Sequence, residues 1–238
     1  MPITFTKEKD SVALVTMDFG ENRFNPEFTG SLLAVLDAIE ADNSYKAVVL
    51  CSKDEKFWSL GVDVEWTGKA AKEGRLQEIR DFLYSANALF KRIMTYPMPV
   101  IAAIGGHAFG DGAVLALSCD FRYMKSGRVS FCFPEVDINI PFLPSNQEIV
   151  TKVVPGWFME DMILTGRRID AAELEKHHII RKGCDSEESL IKESVEFAST
   201  FAKSRGIFAE HKKRLNKRIF KLMDNEDKTF IEPLNLSV

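Results

Sequence analysis

The sequence predicts an α/β fold in which helices pack against a sheet, and two stretches carry that reading. Near the N-terminus, strand-like Val12 to Met17, a helical repeat and strand-like Ala47 to Cys51 follow one another, the alternation expected of α/β architecture. Further on, Pro97 to Pro141 runs through an apolar segment, a glycine turn, a short apolar helix and two more apolar segments. Val100 to Ile104 is too short for a helix, which needs roughly ten residues. Prolines precede it and Gly105-Gly106 follow it, so it reads as a buried strand. Gly110-Asp111-Gly112 then turns the chain into Ala113 to Cys119, β-branched only at Val114. This is a short buried helix whose first-turn N–H groups face back toward the loop. Asp120 to Met124 and Val129 to Phe133 read as strands, the second ending in Pro134-Glu135.

The remaining elements follow in order. Ile3 to Thr6 and Val12 to Met17 form a hairpin around Lys-Glu-Lys-Asp. Asn25 before Pro26 starts a helix, with an N-cap acceptor followed by proline at the first helical position. Phe28, Leu32, Val35, Leu36 and Ile39 give that helix one buried face to about Ala41. Lys53 to Asp63 is a polar turn entering FWSLGVD, in which Ser59 and Gly61 keep the loop compact and Gly61 admits a close backbone approach. Thr67 to Arg75, small and polar with two glycines, reads as a mobile segment. Leu76 to Tyr96 is a long amphipathic helix stopped by Pro97. Short helices follow Pro141, span Phe158 to Thr165 and start at Asp170; Ile179 to Gly183 reads as a strand and Ser186 to Ala202 as a helix. The tail from Ile207 to Met223 reads as one helix, apolar on one side and basic on the other.

Composition narrows the function classes. A chain of 238 residues, 45% hydrophobic and 28% charged, suits one well-filled core with a small appendage, and disorder is not the default. Net charge is −4 and no basic face builds up, which argues against a nucleic-acid partner. Cys51, Cys119, Cys132 and Cys184 have no regular spacing and read as reduced, buried thiols. No signal segment precedes Ile3, and no apolar run approaches the roughly 20 residues of a membrane span. Leu236-Ser237-Val238 is not a peroxisomal tripeptide, so the cytoplasm is the expected compartment. His177-His178 lack further ligand spacing, and no metal site is expected.

Three motifs in order, FWSLGVD, GHAFGDGAVLALSCDFRY and FPEVDI, resemble the crotonase (enoyl-CoA hydratase/isomerase) superfamily. ENRFNP and SFCFPEVDINIP are most similar to its single-glutamate Δ3,Δ2-enoyl-CoA isomerases, and the resemblance covers roughly Ile3 to Ala202. It implies a spiral of ββα units over residues 1–202, a C-terminal helical trimerisation segment over 203–238, and a homotrimer or hexamer. It also implies an acyl-CoA thioester as substrate, with no separate cofactor and no membrane partner. By resemblance, the backbone N–H groups of Val62 and Asp111 hold the thioester oxygen as it becomes an enolate. Ser59, Leu60, Gly61, Val62, Asp63, Trp66, Gly110, Asp111 and Pro134 are then the substrate-binding residues.

The carboxylates select the reaction. Hydratases of the family carry two glutamates; here the second is Glu135 and the first position is Val114, which moves no proton. One base suffices to shift a double bond, so Val114 with Glu135 favours an isomerase. Set between Pro134 and the apolar Val136, Ile138 and Ile140, Glu135 reads as a half-buried base of raised pKa rather than a solvated turn acid. Asp111 departs from the family pattern, where a small residue is usual. It is expected to cap the helix; the alternatives are a second acid, giving hydration or another acyl-CoA reaction, or a spoiled oxyanion hole in a non-catalytic acyl-CoA binder. His107 is expected to pack and hydrogen-bond locally. Asp137 and Asn139 are pocket edges or a solvated strand edge, and Trp66 and Phe57 line a pocket or fill the core.

Overall fold

A computed structural model describes residues 2–236; Ser237 and Val238, two of the three residues of the C-terminal tripeptide, lie outside them. The chain runs β1 (Ile3–Glu8), β2 (Val12–Met17), α1 (Pro26–Ala41), β3 (Ala47–Ser52), β4 (Phe57–Ser59), α2 (Val64–Lys72), α3 (Leu76–Thr95), β5 (Val100–Ile104), β6 (His107–Phe109) and α4 (Asp111–Ser118). It continues through β7 (Phe121–Lys125), β8 (Phe131–Cys132), α5 (Glu135–Ile138), α6 (Pro144–Val153), α7 (Gly156–Thr165), α8 (Ala171–Lys176), β9 (Gly183–Cys184), α9 (Glu187–Ser199), α10 (Arg205–Leu215), α11 (Lys217–Asn225) and α12 (Lys228–Ile231).

Two sheets result. The larger has the order β1-β2-β3-β5-β7-β9, the smaller β4-β6-β8. Among the strand pairs of the described residues, only the β1–β2 hairpin is antiparallel, and its turn places Lys9 and Asp10 at positive φ, as tight hairpin connections require. Each turn of the spiral gives its first strand to the large sheet and its second to the small one: β3 then β4, β5 then β6, β7 then β8. β5 is buried along its whole length, which explains its unbroken apolar sequence. The main core lies under α1, α3, α4, α6 and α7; a second cluster joins Val49, Ile101 and Ala103 to Leu190, Val195 and Ala198 of α9. All four cysteines are buried and free. Among the described residues, no helix is long and apolar enough to cross a membrane.

Several expectations are corrected. Thr67 to Arg75 is not a loose segment: most of it lies in α2, which Asp63 caps by accepting the Trp66 N–H at 3.0 Å. Gly74, at φ +72°, only ends the stretch. The strand near residue 180 is Gly183–Cys184, paired with Met124 and Lys125; Ile179 instead folds back so that its N–H reaches the Leu174 carbonyl at 2.9 Å. The tail is two helices. At the break, Asn216 is buried and donates to the Lys212 carbonyl at 2.8 Å and the Met94 carbonyl at 3.1 Å, competing with the helical ladder. Its apolar stripe is covered only in part: Ile219 joins Phe220 and Met223 in the main core of the same chain, while Leu215 stays exposed. Past Pro134 there is no strand edge: Glu135–Ile138 is a single helical turn closed by Asn139 in the left-handed region.

Candidate active site

The three strands of the small sheet run parallel, so the segments leaving their C-terminal ends share one edge. Val62 follows β4, Asp111 follows β6 and Glu135 follows β8, each within three residues of its strand. Residues scattered over the sequence thus meet because successive spiral turns stack in register.

The loop after β4 is pinned by the Glu21–Pro26 stretch. Phe24 N–H donates to the Gly61 carbonyl at 2.7 Å, Asp63 N–H to the Phe24 carbonyl at 2.9 Å, and Leu60 N–H to the Glu21 carbonyl at 3.1 Å. Because Gly61 and Asp63 face Phe24, the intervening Val62 turns its own N–H to the opposite side. Ser59 is buried and its hydroxyl donates to the Asn22 carbonyl at 2.8 Å. Asn22 is buried at φ 47° and donates to Ser52 Oγ at 2.8 Å and to the Trp58 carbonyl at 3.0 Å. Trp66 sets its ring against Phe82 of α3, with centroids 5.3 Å apart. At φ +72°, Gly61 approaches α4 so closely that a Cβ there would lie 2.8 Å from the Asp111 nitrogen. The Asp111 amide opens α4 and has no acceptor within the helix.

Glu135 is half-buried. Its Oε2 is buried without a hydrogen-bond partner, and its Oε1 would lie 3.0 Å from a Cβ at Gly110 (φ +55°). Burial, and then the neighbouring Asp111, push its carboxyl up to about 8. The shielding does not come from its sequence neighbours, since Val136 and Ile138 are each 48% exposed. Glu135 Oε1 lies beside the Gly110–Asp111 turn. Val114 is fully buried in the core, so no proton carrier stands there.

Asp111 does not cap α4. Gly110 occupies the N-cap position, and no side chain caps this helix. The Asp111 carboxylate instead accepts a hydrogen bond from Asn146 Nδ2 of α6 at 2.8 Å, and burial pushes its pKa up to about 7. Asn146 and Asn22 are the site residues that sequence reasoning missed. Asn146 lay outside every motif; Asn22 lay inside ENRFNP, where its left-handed backbone had no glycine to mark it. His107 packs locally as expected: its Nδ1 accepts from Ser130 N–H at 3.1 Å between the rings of Phe57 and Phe109. Asp137 and Asn139 are exposed, and Pro134 stands at the N-cap of α5. A shallow depression lined by Ser189, Lys192, Glu193 and Phe197 belongs to α9 and brings no catalytic groups together.

Two loops leaving parallel strands thus bring the Val62 and Asp111 segments to the edge that also carries the desolvated Glu135 carboxyl. The family model described as "Enoyl-CoA hydratase/isomerase" matches residues 7–230, and the chain belongs to that family. It is 26% identical over 236 residues to the peroxisomal enoyl-CoA delta isomerase 2 of Arabidopsis thaliana, covering 97% of this chain and 98% of that protein. It is 33% identical over 179 residues to a putative enoyl-CoA hydratase of Thermus thermophilus, covering 74% and 68%. The human mitochondrial delta3-delta2-enoyl-CoA isomerase superposes with a TM-score of 0.88 at 18% identity, over 98% of this chain and 91% of that one, and shares the fold.

Proposed function

We propose that this chain is a Δ3,Δ2-enoyl-CoA isomerase. In this reading the thioester oxygen sits between the N–H groups of Val62 and Asp111, with Ser59 to Asp63, Trp66, Gly110 and Pro134 around the substrate. Glu135 takes the proton from C2; the C3=C4 electrons delocalise into a dienolate, and Glu135 returns the proton to C4, leaving a C2=C3 double bond. The observation that carries the reading is Glu135 Oε2, buried, without a partner and beside Gly110, while position 114 is apolar. A base needs a pKa near the operating pH, and burial supplies it. The negative charge that would oppose an oxyanion is reduced but not removed, because burial raises Asp111 to about 7 and leaves it partly protonated at neutral pH. No separate cofactor enters this chemistry.

One observation favours a second reading. Asp111 is held by Asn146 and raises Glu135, so the pair has the makings of two acids acting on one water. A 3-enoyl-CoA and a 2-enoyl-CoA, each incubated with the protein and followed by mass and by conjugated-thioester absorbance, decide. Conjugation of the 3-enoyl substrate without mass change supports the isomerase. Gain of one water by the 2-enoyl substrate supports hydration, and binding without turnover supports an acyl-CoA binder. We also propose a homotrimer or hexamer, using surfaces of residues 203–238 that the core leaves exposed, such as Leu215 at 77%; light scattering at micromolar concentration tests it. The proposed compartment is the cytoplasm, against the peroxisomal name of the Arabidopsis relative, and cell fractionation tests it.

A further inference from the structure

We propose that Asp227, in the turn between α11 and α12, is a positioning residue for the site: it fixes the start of α6 and thereby the Asn146 amide that holds Asp111. Asp227 is fully buried. Its carboxylate accepts from Ser145 N–H at 3.0 Å, Ser145 Oγ at 2.5 Å and Asn87 Nδ2 of α3 at 2.8 Å. Ser145 stands in the first turn of α6, where its N–H has no helical acceptor and a carboxylate is favoured by the helix dipole. The next residue is Asn146. Its Nδ2 holds Asp111, while its Oδ1 is buried and unpartnered. With a single side-chain bond, the aim of this amide depends on the backbone that carries it, and Asp227 fixes that backbone.

Docking the tail does not by itself require this arrangement. Ile219, Phe220 and Met223 already bury against the core, and a carboxylate taken out of water is costly unless its hydrogen bonds are met. The three donors are all neutral, so Asp227 serves geometry rather than charge neutralisation. On α3, Tyr84 lies within electrostatic reach of Asp227, donates to Glu232 at 2.5 Å and sits beside Arg80. Asp111 is faced by Glu135 from α5 and by the neutral Asn146 from α6.

The inference rests on Asp111 and Glu135 forming the site, whichever reaction they run, so its test does not use turnover. In the full-length protein labelled with ¹³C-carboxyl aspartate, the Asp111 signal, assigned by its loss in Asp111→Asn, is titrated by NMR. Donation from Asn146 favours the charged form of Asp111, so a displaced Asn146 raises the midpoint. Asp227→Ala is expected to raise it by about half a pH unit or more, a roughly threefold change in the protonation equilibrium. Ser145→Ala is expected to move it the same way by less. A tail that only stabilises the fold would lower the melting temperature and leave the Asp111 midpoint in place. A folded Asp227→Ala with an unmoved midpoint overturns the proposal. Should that variant not fold, an unmoved midpoint in both Asp227→Asn and Ser145→Ala overturns it equally. Failure of the isomerase reading would show instead in the product assay.

Discussion

The loop carrying Val62 and the turn carrying Glu135 leave the same edge of one small sheet, yet their polar groups are treated in opposite ways. Around Val62 the flanking backbone is paired: Gly61, Asp63 and Leu60 bond to the Glu21–Pro26 stretch, and Ser59 and Asn22 bond across it. At Glu135 a single helical turn with exposed Val136 and Ile138 presents a buried carboxyl oxygen that has no partner. A donor that must meet developing charge works best when it cannot reorganise. A base that must give and take a proton is kept desolvated and unsatisfied, which raises its pKa toward neutrality. In the proposed reading, rigidity serves the Val62 side and an unsatisfied carboxyl serves the Glu135 side.

The contrast breaks first at Glu135. Glu135→Gln keeps the shape and removes the proton acceptor, so kcat on a 3-enoyl-CoA is expected to fall about hundredfold or more, with CoA-ester binding retained by calorimetry. Turnover above about a tenth of wild type, under 1.4 kcal/mol of barrier, would give the role of base to another residue. The same variant tests the stored cost. In the folded chain the carboxyl is raised from 4.5 to about 8, so the native state holds the proton more tightly. Its stabilising share is full below the ordinary value and is lost as pH rises through about 8. Melting of the wild type should therefore fall behind that of Glu135→Gln as the pH is raised from 5 to 9.

On the paired side, Gly61→Ala should reduce kcat by about 10²–10³, since its methyl would lie 2.8 Å from the Asp111 amide at a backbone angle alanine resists. A loss under tenfold would show that the Asp111 N–H is not a donor to the substrate. Asn22→Ala, which orphans the groups it joins, should cost about 1–3 kcal/mol in urea unfolding, with a milder effect on turnover. An unchanged unfolding midpoint would mean that the brace is dispensable.

The elements were legible where local chemistry decides them. Asn25-Pro26 opened α1 as the cap pattern requires, and the apolar run of β5 is buried on both faces. Glu135 could be singled out from its place after an apolar strand beside Pro134, whereas Val62 and Gly110 are legible only through the family resemblance of their glycine motifs. What escaped depended on partners distant in sequence. Asp111 reads as a cap from its place at a helix start, and only the arrival of α6 shows that its carboxylate has another donor. The break at Asn216 likewise depends on the Met94 carbonyl, far away in the chain. Glu135 is half-buried as expected, yet its apolar neighbours Val136 and Ile138 face outward, and its carboxyl lies beside the Gly110 turn of another spiral layer.

The smallest effect, and the sharpest probe of how the two sides meet, is expected from Asp111→Asn. Asn retains an oxygen to accept from Asn146 and keeps the backbone amide, so the geometry of the paired side is preserved. What it removes is the charge that helps to hold Glu135 up. The base must be ionised to act, so kcat rises with pH through the Glu135 midpoint. Removing a neighbouring negative charge eases that ionisation and moves the rise to lower pH. Asp111→Asn is thus expected to turn over faster than the wild type near pH 6, where the wild-type base is mostly protonated. Its high-pH plateau should fall by less than tenfold. A pH profile that does not move would show that Asp111 and Glu135 do not interact during turnover. A plateau lowered a hundredfold with binding intact would make Asp111 a second proton carrier and favour water addition, in which two acids share the work that isomerisation leaves to one.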